Sequence, residues 1–167
     1  MTQEVRRSYL EINSIQNLKE VPRPSDDYSI RLLDPINFQL NKFFYKNIGK
    51  QHKWVDRLIW MESKWIDYVS DKKVKTYVLK HKDDLAGFFE LIFHTEKKEV
   101  ELAYFGLLEE YQNKKLGSHL LCEAIKISFD SNINRVWAHT CTLDHKNALS
   151  NYIARGMKIF KTESIVI

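Results

Sequence analysis

The segment from Glu99 to Phe129 constrains the fold most strongly, because its hydrophobic periodicity changes within a few residues. Residues 99–108 have strand composition, whereas apolar residues recur at helical spacing from Gln112 to about Phe129. The loop between them leads directly into a helix start, where unpaired N–H groups and a partial positive charge suit a phosphate. Gly117 lets a ligand approach the backbone closely. The segment therefore predicts a strand, a phosphate-binding loop at 112–118 and a helix.

Strands and helices are also predicted on both sides of this segment. Trp54, Leu58, Met61, Trp65 and Val69 are spaced as one buried face of a helix over residues 52–70. The segment from Arg7 to Ile12 alternates well enough for an edge strand, with a mobile arm as the alternative, within an N-terminal extension over residues 1–25 that ends at a proline-containing linker. The other predicted elements are strand 28–33, helix 35–47, hairpin strands 74–80 and 85–94, strand 135–141, helix 147–155 ended by Gly156, and one or two strands over 158–167.

Composition restricts the classes of protein. The 167 residues suit one domain, placed at 26–167, of α/β (α+β) class with a largely antiparallel front half. Lys and Arg number 26 against 22 Asp and Glu, and the interspersed charges argue against nucleic-acid binding. The sequence lacks a secretory or membrane-spanning apolar run, so we expect a cytoplasmic protein with no membrane partner and with reduced thiols at Cys122 and Cys141.

Gly106 lies inside the apolar strand 99–108. A glycine in such a strand marks a bulge or a close approach to the backbone. A bulge there would part this strand from strand 135–142, and the freed N–H and C=O groups could bind an extended amide chain such as pantetheine. Relief of crowding is the alternative explanation.

Two groups of residues resemble the GNAT superfamily of acetyl-CoA-dependent N-acetyltransferases. Gln112 and Gly117 fit the two ends of its phosphate-loop motif, although Lys115 replaces the middle glycine. The spacing of Ala148, Tyr152, Gly156 and Met157 is similar to that of a helix in this family. The resemblance implies a mixed, mostly antiparallel sheet of six or seven strands with splayed central strands, flanked by about four helices.

The resemblance also implies a cofactor site and a reaction. An acetyl group would pass from acetyl-CoA to a primary amine of a small molecule or a protein by direct attack in a ternary complex, in a monomer or a homodimer. The residues expected to contact coenzyme A are Phe105, Gly106, Leu107, Gln112, Asn113, Lys114, Lys115, Leu116, Gly117, Ser118, Asn147 and Tyr152. His145 occupies the position at which the family often has an asparagine, and Asn147 is displaced from it.

Proton transfer requires further residues. An amine with a pKa near 10.4 must lose a proton before it attacks. Glu101 is the first choice of base, because period-two geometry places it on one face with Ala103 and Phe105, and His139 is the second. The resemblance places Tyr152 beside the sulfur, where it would donate to the departing thiolate; a packed core tyrosine is the alternative. The N–H groups of Phe105 or Leu107 could polarise the thioester carbonyl.

Aromatic and charged residues are candidates for the amine site. It should lie over the helices of residues 35–69, and its candidate residues are Trp54, Asp56, Arg57, Trp60 and Tyr104. Several of these aromatics could instead belong to the core. A non-catalytic acyl-CoA sensor and an RNA-binding module are alternative functions. A zinc site from Cys122, His139, Cys141 and His145 is disfavoured, because no paired-ligand spacing occurs, and we expect no metal.

Overall fold

Seven strands form one mixed sheet with four α-helices in the computed structural model, which describes residues 2–166. The order across the sheet is β2-β3-β4-β5-β6-β1-β7, and only β5 and β6 run parallel. The sheet and helix count expected from the sequence is therefore confirmed. The elements are β1 Glu4–Ile12, β2 Tyr28–Leu32, α1 Phe38–Gly49, α2 Glu62–Ser70, β3 Val74–His81, β4 Asp84–His94, β5 Glu99–Leu107, α3 Leu116–Phe129, β6 Arg135–Cys141, α4 Ala148–Ala154 and β7 Lys158–Val166.

The central strands β5 and β6 diverge. They pair only where residues 99–101 lie beside residues 135–137. Beyond Glu101, the backbone of β5 no longer has β6 as a partner, whereas β4 remains paired with β5 as far as Leu107. The expected splaying is confirmed, and the gap opens toward the start of α3.

The bulge associated with this divergence is in β5 at Ala103. Glu90 faces Tyr104 and Leu91 faces Leu102, so that Ala103 is the extra residue. The expected position at Gly106 is wrong. An added residue reverses the side-chain alternation, since successive strand side chains point to opposite faces.

Strand β1 lies inside the sheet, between β6 and β7. The expected strand within residues 7–12 exists, but its expected position at an edge is wrong. Its alternate residues Leu10 and Ile12 are almost fully buried, as is Val5. Burial of this apolar face stabilises an interior strand, with each residue contributing roughly 1.5–3 kcal/mol. The segment treated as an N-terminal extension therefore supplies an interior strand of the sheet.

The long helix expected over residues 52–70 is wrong in its first half. Only α2 is helical, and of the predicted buried face Leu58 and Met61 are 53% and 75% exposed. Lys53 has a φ of 55°, which interrupts a right-handed helix. Residues 50–61 instead form a loop, called the acceptor loop below after the amine site expected there, and its Trp54 reaches Asp144 beyond the end of β6.

Helix starts and ends follow local capping. The side chain of Asn37 accepts a hydrogen bond from the Leu40 amide, so α1 begins at Phe38 rather than at Pro35. Gly156 has a φ of 107° directly after α4, as expected of a helix stop.

Phe44 of α1 stacks on Phe88 of β4 with ring centroids 4.9 Å apart, which fixes α1 on one face of the sheet.

Candidate active site

The loop between β5 and α3 is exposed from Asn113 to Lys115. Asn113 and Lys115 have φ values of 63° and 62°, so the chain turns twice through the left-handed region before α3 begins at Leu116. The side chain of Lys115 makes no capping hydrogen bond. The first amides of an α-helix have no intrahelical partner, and together with the positive end of the helix they suit an anion.

Gly117 leaves this helix start open. A β-carbon at position 117 would meet only the Asn151 side chain at 3.7 Å and Leu107 at 3.9 Å, which are ordinary contacts. Glycine is therefore not required there by the protein's own packing. Asn151 of α4 donates from Nδ2 to the Gly117 carbonyl over 3.2 Å, a contact that sequence reasoning missed.

The two lysines of the loop differ in position. Lys115 stands where the family motif has glycine, and its left-handed backbone explains why glycine suits the position. Lys114 extends toward the Tyr111 ring, with Nζ 5.5 Å from the ring centroid. It does not line the cleft described next, although the sequence placed it among the cofactor contacts.

A cleft of about 700 Å³ occupies the gap between β5 and β6 and continues to the loop. All the expected cofactor contacts except Lys114 line it. Those residues are Phe105, Gly106, Leu107, Gln112, Asn113, Lys115, Leu116, Gly117, Ser118, Asn147 and Tyr152. The cleft has room for an extended chain, and the free edge of β5 supplies unpaired backbone groups along it.

Gly106 serves close packing rather than a bulge. A β-carbon there would lie 2.7 Å from Cγ2 of Ile48 in α1 and 3.7 Å from the Trp54 ring. A contact of 2.7 Å is too short for two carbon atoms. Glycine at 106 therefore lets α1 and the acceptor loop approach β5, which agrees with the alternative of relieved crowding.

Tyr152 lies at the inner wall of the cleft. Its side chain is 5% exposed, and its ring packs against Phe105 with centroids 5.7 Å apart. Burial, with a further contribution from the charge of Asp144, raises the pKa of Tyr152 far above its ordinary value. The phenol therefore keeps its proton at neutral pH and can donate a hydrogen bond.

Asp144 connects the two sides of the cleft mouth, and sequence reasoning missed it. Its Oδ2 accepts hydrogen bonds from the hydroxyl of Thr140 and from the amide of Cys141, at the end of β6. Its Oδ1 accepts from Trp54 Nε1 at 3.4 Å. The carboxylate thus ties the acceptor loop to β6. The only signal for Asp144 in the sequence was its place as a polar residue shortly after the end of a predicted strand.

The two candidate bases occupy different places. His139 lines the cleft, whereas Glu101 does not and lies with Oε1 3.1 Å from His94 Nε2. The shared face expected for Glu101, Ala103 and Phe105 is wrong, because the bulge at Ala103 reverses the alternation between them. His139 is exposed to the solvent of the cleft, so its desolvation is only partial. Its pKa is lowered by this partial desolvation and further by the positive charge of Arg7, against the carboxylates of Glu101 and Asp144, which raise it.

The candidate amine-binding residues separate into two groups. Trp54, Asp56 and Tyr104 line the cleft, with the rings of Trp54 and Tyr104 packed edge to face at 4.8 Å. Arg57 and Trp60 do not line it. Their assignment to the amine site has no support from this geometry.

Arg57 is a buried anchor of the acceptor loop. Its side chain is 7% exposed and donates from Nη1 to both oxygens of the fully buried Glu90, at 2.9 and 3.2 Å. The Tyr68 hydroxyl and the Asn41 amide also donate to Glu90. Arg57 lies within 6 Å of several aromatic rings, those of Tyr45, Trp60, Trp65, Tyr68 and Tyr104.

Residues 2–166 contain neither a cluster of metal ligands nor a membrane-spanning helix. No three His, Cys, Asp or Glu side chains there lie close enough together to hold a metal ion. The thiol of Cys122 is buried in α3, and Cys141 lies on β6. In the same range, every helix is too short or too polar to cross a membrane.

Solved structures share this fold at low sequence identity. A GCN5-related N-acetyltransferase from Sphaerobacter thermophilus matches 97% of this chain and 50% of its own, with 11% identity and a TM-score of 0.73. An aminoglycoside acetyltransferase from an uncultured soil sample matches 80% of this chain and 90% of its own, with 11% identity and a TM-score of 0.65. A Bacillus subtilis acetyltransferase in complex with CoA matches 77% of this chain and 75% of its own, with 20% identity and a TM-score of 0.55.

The chain spans only part of several solved structures that it matches: 50% of the Sphaerobacter thermophilus protein, 62% of a conserved Staphylococcus epidermidis protein and 58% of a GCN5-related N-acetyltransferase from Kribbella flavida. No curated protein sequence matches it. The acetyltransferase (GNAT) family model matches residues 37–157, which contain the splayed strands, the phosphate loop and Tyr152. The chain therefore belongs to the GNAT family of acetyltransferases.

Proposed function

We propose that the chain is an N-acetyltransferase that moves the acetyl group of acetyl-CoA to a primary amine. One observation carries the proposal: the gap between β5 and β6 leads directly to the open amides at the start of α3. That arrangement suits a ligand with an extended amide arm and a diphosphate at one end. Family membership supports acyl transfer, and the choice of acetyl-CoA and of an amine is ours.

The residues of the cleft fit coenzyme A. The amides near Leu116, Gly117 and Ser118 would bind the diphosphate, and the unpaired backbone of β5 near Phe105 and Leu107 would bind the arm. The open space at Gly117 supports this assignment, because no protein atom needs it. When bound, acetyl-CoA supplies an acetyl thioester, whose carbonyl oxygen the amides of Phe105 or Leu107 would polarise.

Two side chains would act on the amine proton and on the departing thiolate. His139, neutral because its pKa is lowered, would take a proton from the amine directly or through water. As the amine nitrogen bonds to the acetyl carbon, the carbon–sulfur bond breaks and the Tyr152 hydroxyl donates a hydrogen bond to the departing thiolate, whose negative charge balances the imidazolium formed at His139. We prefer His139 to Glu101, because the Glu101 carboxylate is engaged with His94 outside the cleft.

A thiol-release assay tests the proposal. Purified protein is mixed with acetyl-CoA and a panel of amines, and free CoA thiol is measured against a blank without amine. Release with at least one amine, abolished by Gly117→Val, is the expected result. Calorimetry with CoA is the companion measurement: binding without release from any amine would indicate an acyl-CoA sensor, and absence of binding would refute the cofactor assignment.

A further inference from the structure

An arginine with unused hydrogen-bond donors lines the cleft beside the proposed base. Arg7 of β1 lies opposite Cys141 and two positions from Tyr9, which lies opposite His139. Its Nε is buried from solvent and has no hydrogen-bond partner within residues 2–166. Its nearest carboxylate, Glu163, is 3.7 Å from Nη1 and already accepts from the Tyr9 hydroxyl at 2.7 Å. The planar guanidinium therefore retains donors for another acceptor.

An acidic side chain of the acceptor loop also lines the cleft. Asp56 is exposed and has no ion pair or hydrogen bond within the part of the chain described here. Both charges act on the His139 imidazole: after desolvation, Arg7 contributes most to lowering its pKa, while Glu101, Asp144 and, least of the three, Asp56 raise it. A cation with a free buried donor and an anion without a partner in the described residues therefore line the same cleft as His139.

We propose that the acceptor is a small amine that also carries a carboxylate, such as an amino acid, with its carboxylate bound by Arg7 and its amine held between Asp56 and His139. This inference rests on the N-acetyltransferase function proposed above. The Arg7 fork matches the two oxygens of a carboxylate, and Asp56 attracts an ammonium group before His139 removes its proton. A polyamine would meet repulsion from Arg7 at the same place.

Matched acceptors test the proposal. The thiol-release assay is run with sets that differ only in the carboxylate, for example tyrosine, tyrosinamide and tyramine, and the corresponding leucine and lysine sets. We expect kcat/KM to be roughly 10- to 100-fold higher for the carboxylate member, the range for a hydrogen bond to a charged group. In Arg7→Met this preference should vanish through a raised KM for the carboxylate member, with little change for the amide.

Three controls separate binding from folding. Arg7→Lys keeps the positive charge but lacks the paired planar donors of a guanidinium, so it should show an intermediate preference for the carboxylate acceptor. Lys158→Met removes an exposed cation from β7 outside the cleft lining and should leave the preference intact. CoA affinity and the unfolding temperature of each variant show whether the cleft is preserved.

The outcomes are distinct. If amides and decarboxylated amines react as well as the carboxylates or better, or if Arg7→Met keeps the preference, the acceptor inference is wrong while the N-acetyltransferase function stands. If no amine of either kind releases thiol, the proposed function fails and the inference fails with it.

Discussion

The side-chain amide of Asn151 donates to the carbonyl of Gly117, so α4 holds the first turn of α3 through one hydrogen bond of 3.2 Å. Gly117 lies at the positive end of α3, where the open amides face the cleft. Asn151 itself also lines the cleft. The angle at which the amides are presented thus depends on a helix that is distant in sequence.

Replacing Asn151 with alanine should weaken coenzyme A binding. Loss of one hydrogen bond near 1 kcal/mol corresponds to an increase in Kd of about fivefold. Calorimetric titration with CoA measures this change. Asn132→Ala, at an exposed turn outside the cleft lining, is the matched control and should leave Kd unchanged. Equal affinity in the two variants would show that the contact does not organise the loop.

Replacing Lys115 with glycine should not destabilise the protein and should raise its free energy of unfolding by up to about 1 kcal/mol, since glycine adopts a positive φ without steric cost. Lys114, whose φ is not positive, provides the control. Lys114→Gly should lower stability by roughly 0.5–1 kcal/mol through chain entropy. Urea unfolding of both variants gives the comparison, and equal destabilisation would contradict the explanation.

The fold was predictable from the sequence where periodicity is local. The strand, loop and helix around Gly117 follow from apolar spacing, and Tyr152 follows from a short family pattern. The helix prediction failed over residues 52–61, because Leu58 and Met61 have the spacing of a buried helix face although both are exposed. The burial of Arg57 against Glu90, 33 residues away, is a tertiary contact that sequence spacing does not contain.

The site was predictable only in part for a related reason. A bulge adds one residue to a strand without any required residue type, so the period-two argument for Glu101 could not detect the change at Ala103. Arg7 was not predicted as a site residue, because its strand pairs with β6, which lies more than a hundred residues later. Asp144 and Asn151 act through contacts that only the folded chain brings together.

Replacing Arg57 with methionine should destabilise the protein by about 3–5 kcal/mol, because it leaves the buried Glu90 carboxylate without its ion-pair partner. Adding Glu90→Gln to this variant should recover part of the loss, since the uncompensated charge is removed. Denaturant unfolding measures both. Lys73→Met, which breaks an exposed pair with Glu96 at 3.8 Å, should cost much less, because solvent screens that pair. Similar losses at both sites would rule out a stabilising role for the buried pair.

The pH dependence of kcat/KM should report on His139. Its ordinary pKa of about 6.5 is lowered, so the imidazole stays neutral at neutral pH and becomes protonated only below that value. Activity that needs the neutral base is therefore present at pH 7 and lost as the pH falls through the lowered pKa. His139→Gln should reduce kcat and remove this acid limb. His145→Gln, at a second histidine of the cleft, should keep the limb; its loss there would assign the base to His145 instead.

Replacing Tyr152 with phenylalanine should lower kcat far more than it weakens CoA binding. Phenylalanine keeps the ring contact with Phe105 and the burial of the side chain, so the cleft should retain its shape. The variant lacks only the hydroxyl, whose raised pKa keeps it protonated as a hydrogen-bond donor to the departing thiolate. Loss of one donor to a developing negative charge corresponds to roughly a 10²–10³-fold decrease in kcat. Steady-state kinetics with the best acceptor and calorimetry with CoA give the two quantities. Parallel losses of turnover and affinity would mean that the hydroxyl serves binding, and unchanged turnover would make Tyr152 a packing residue of the core.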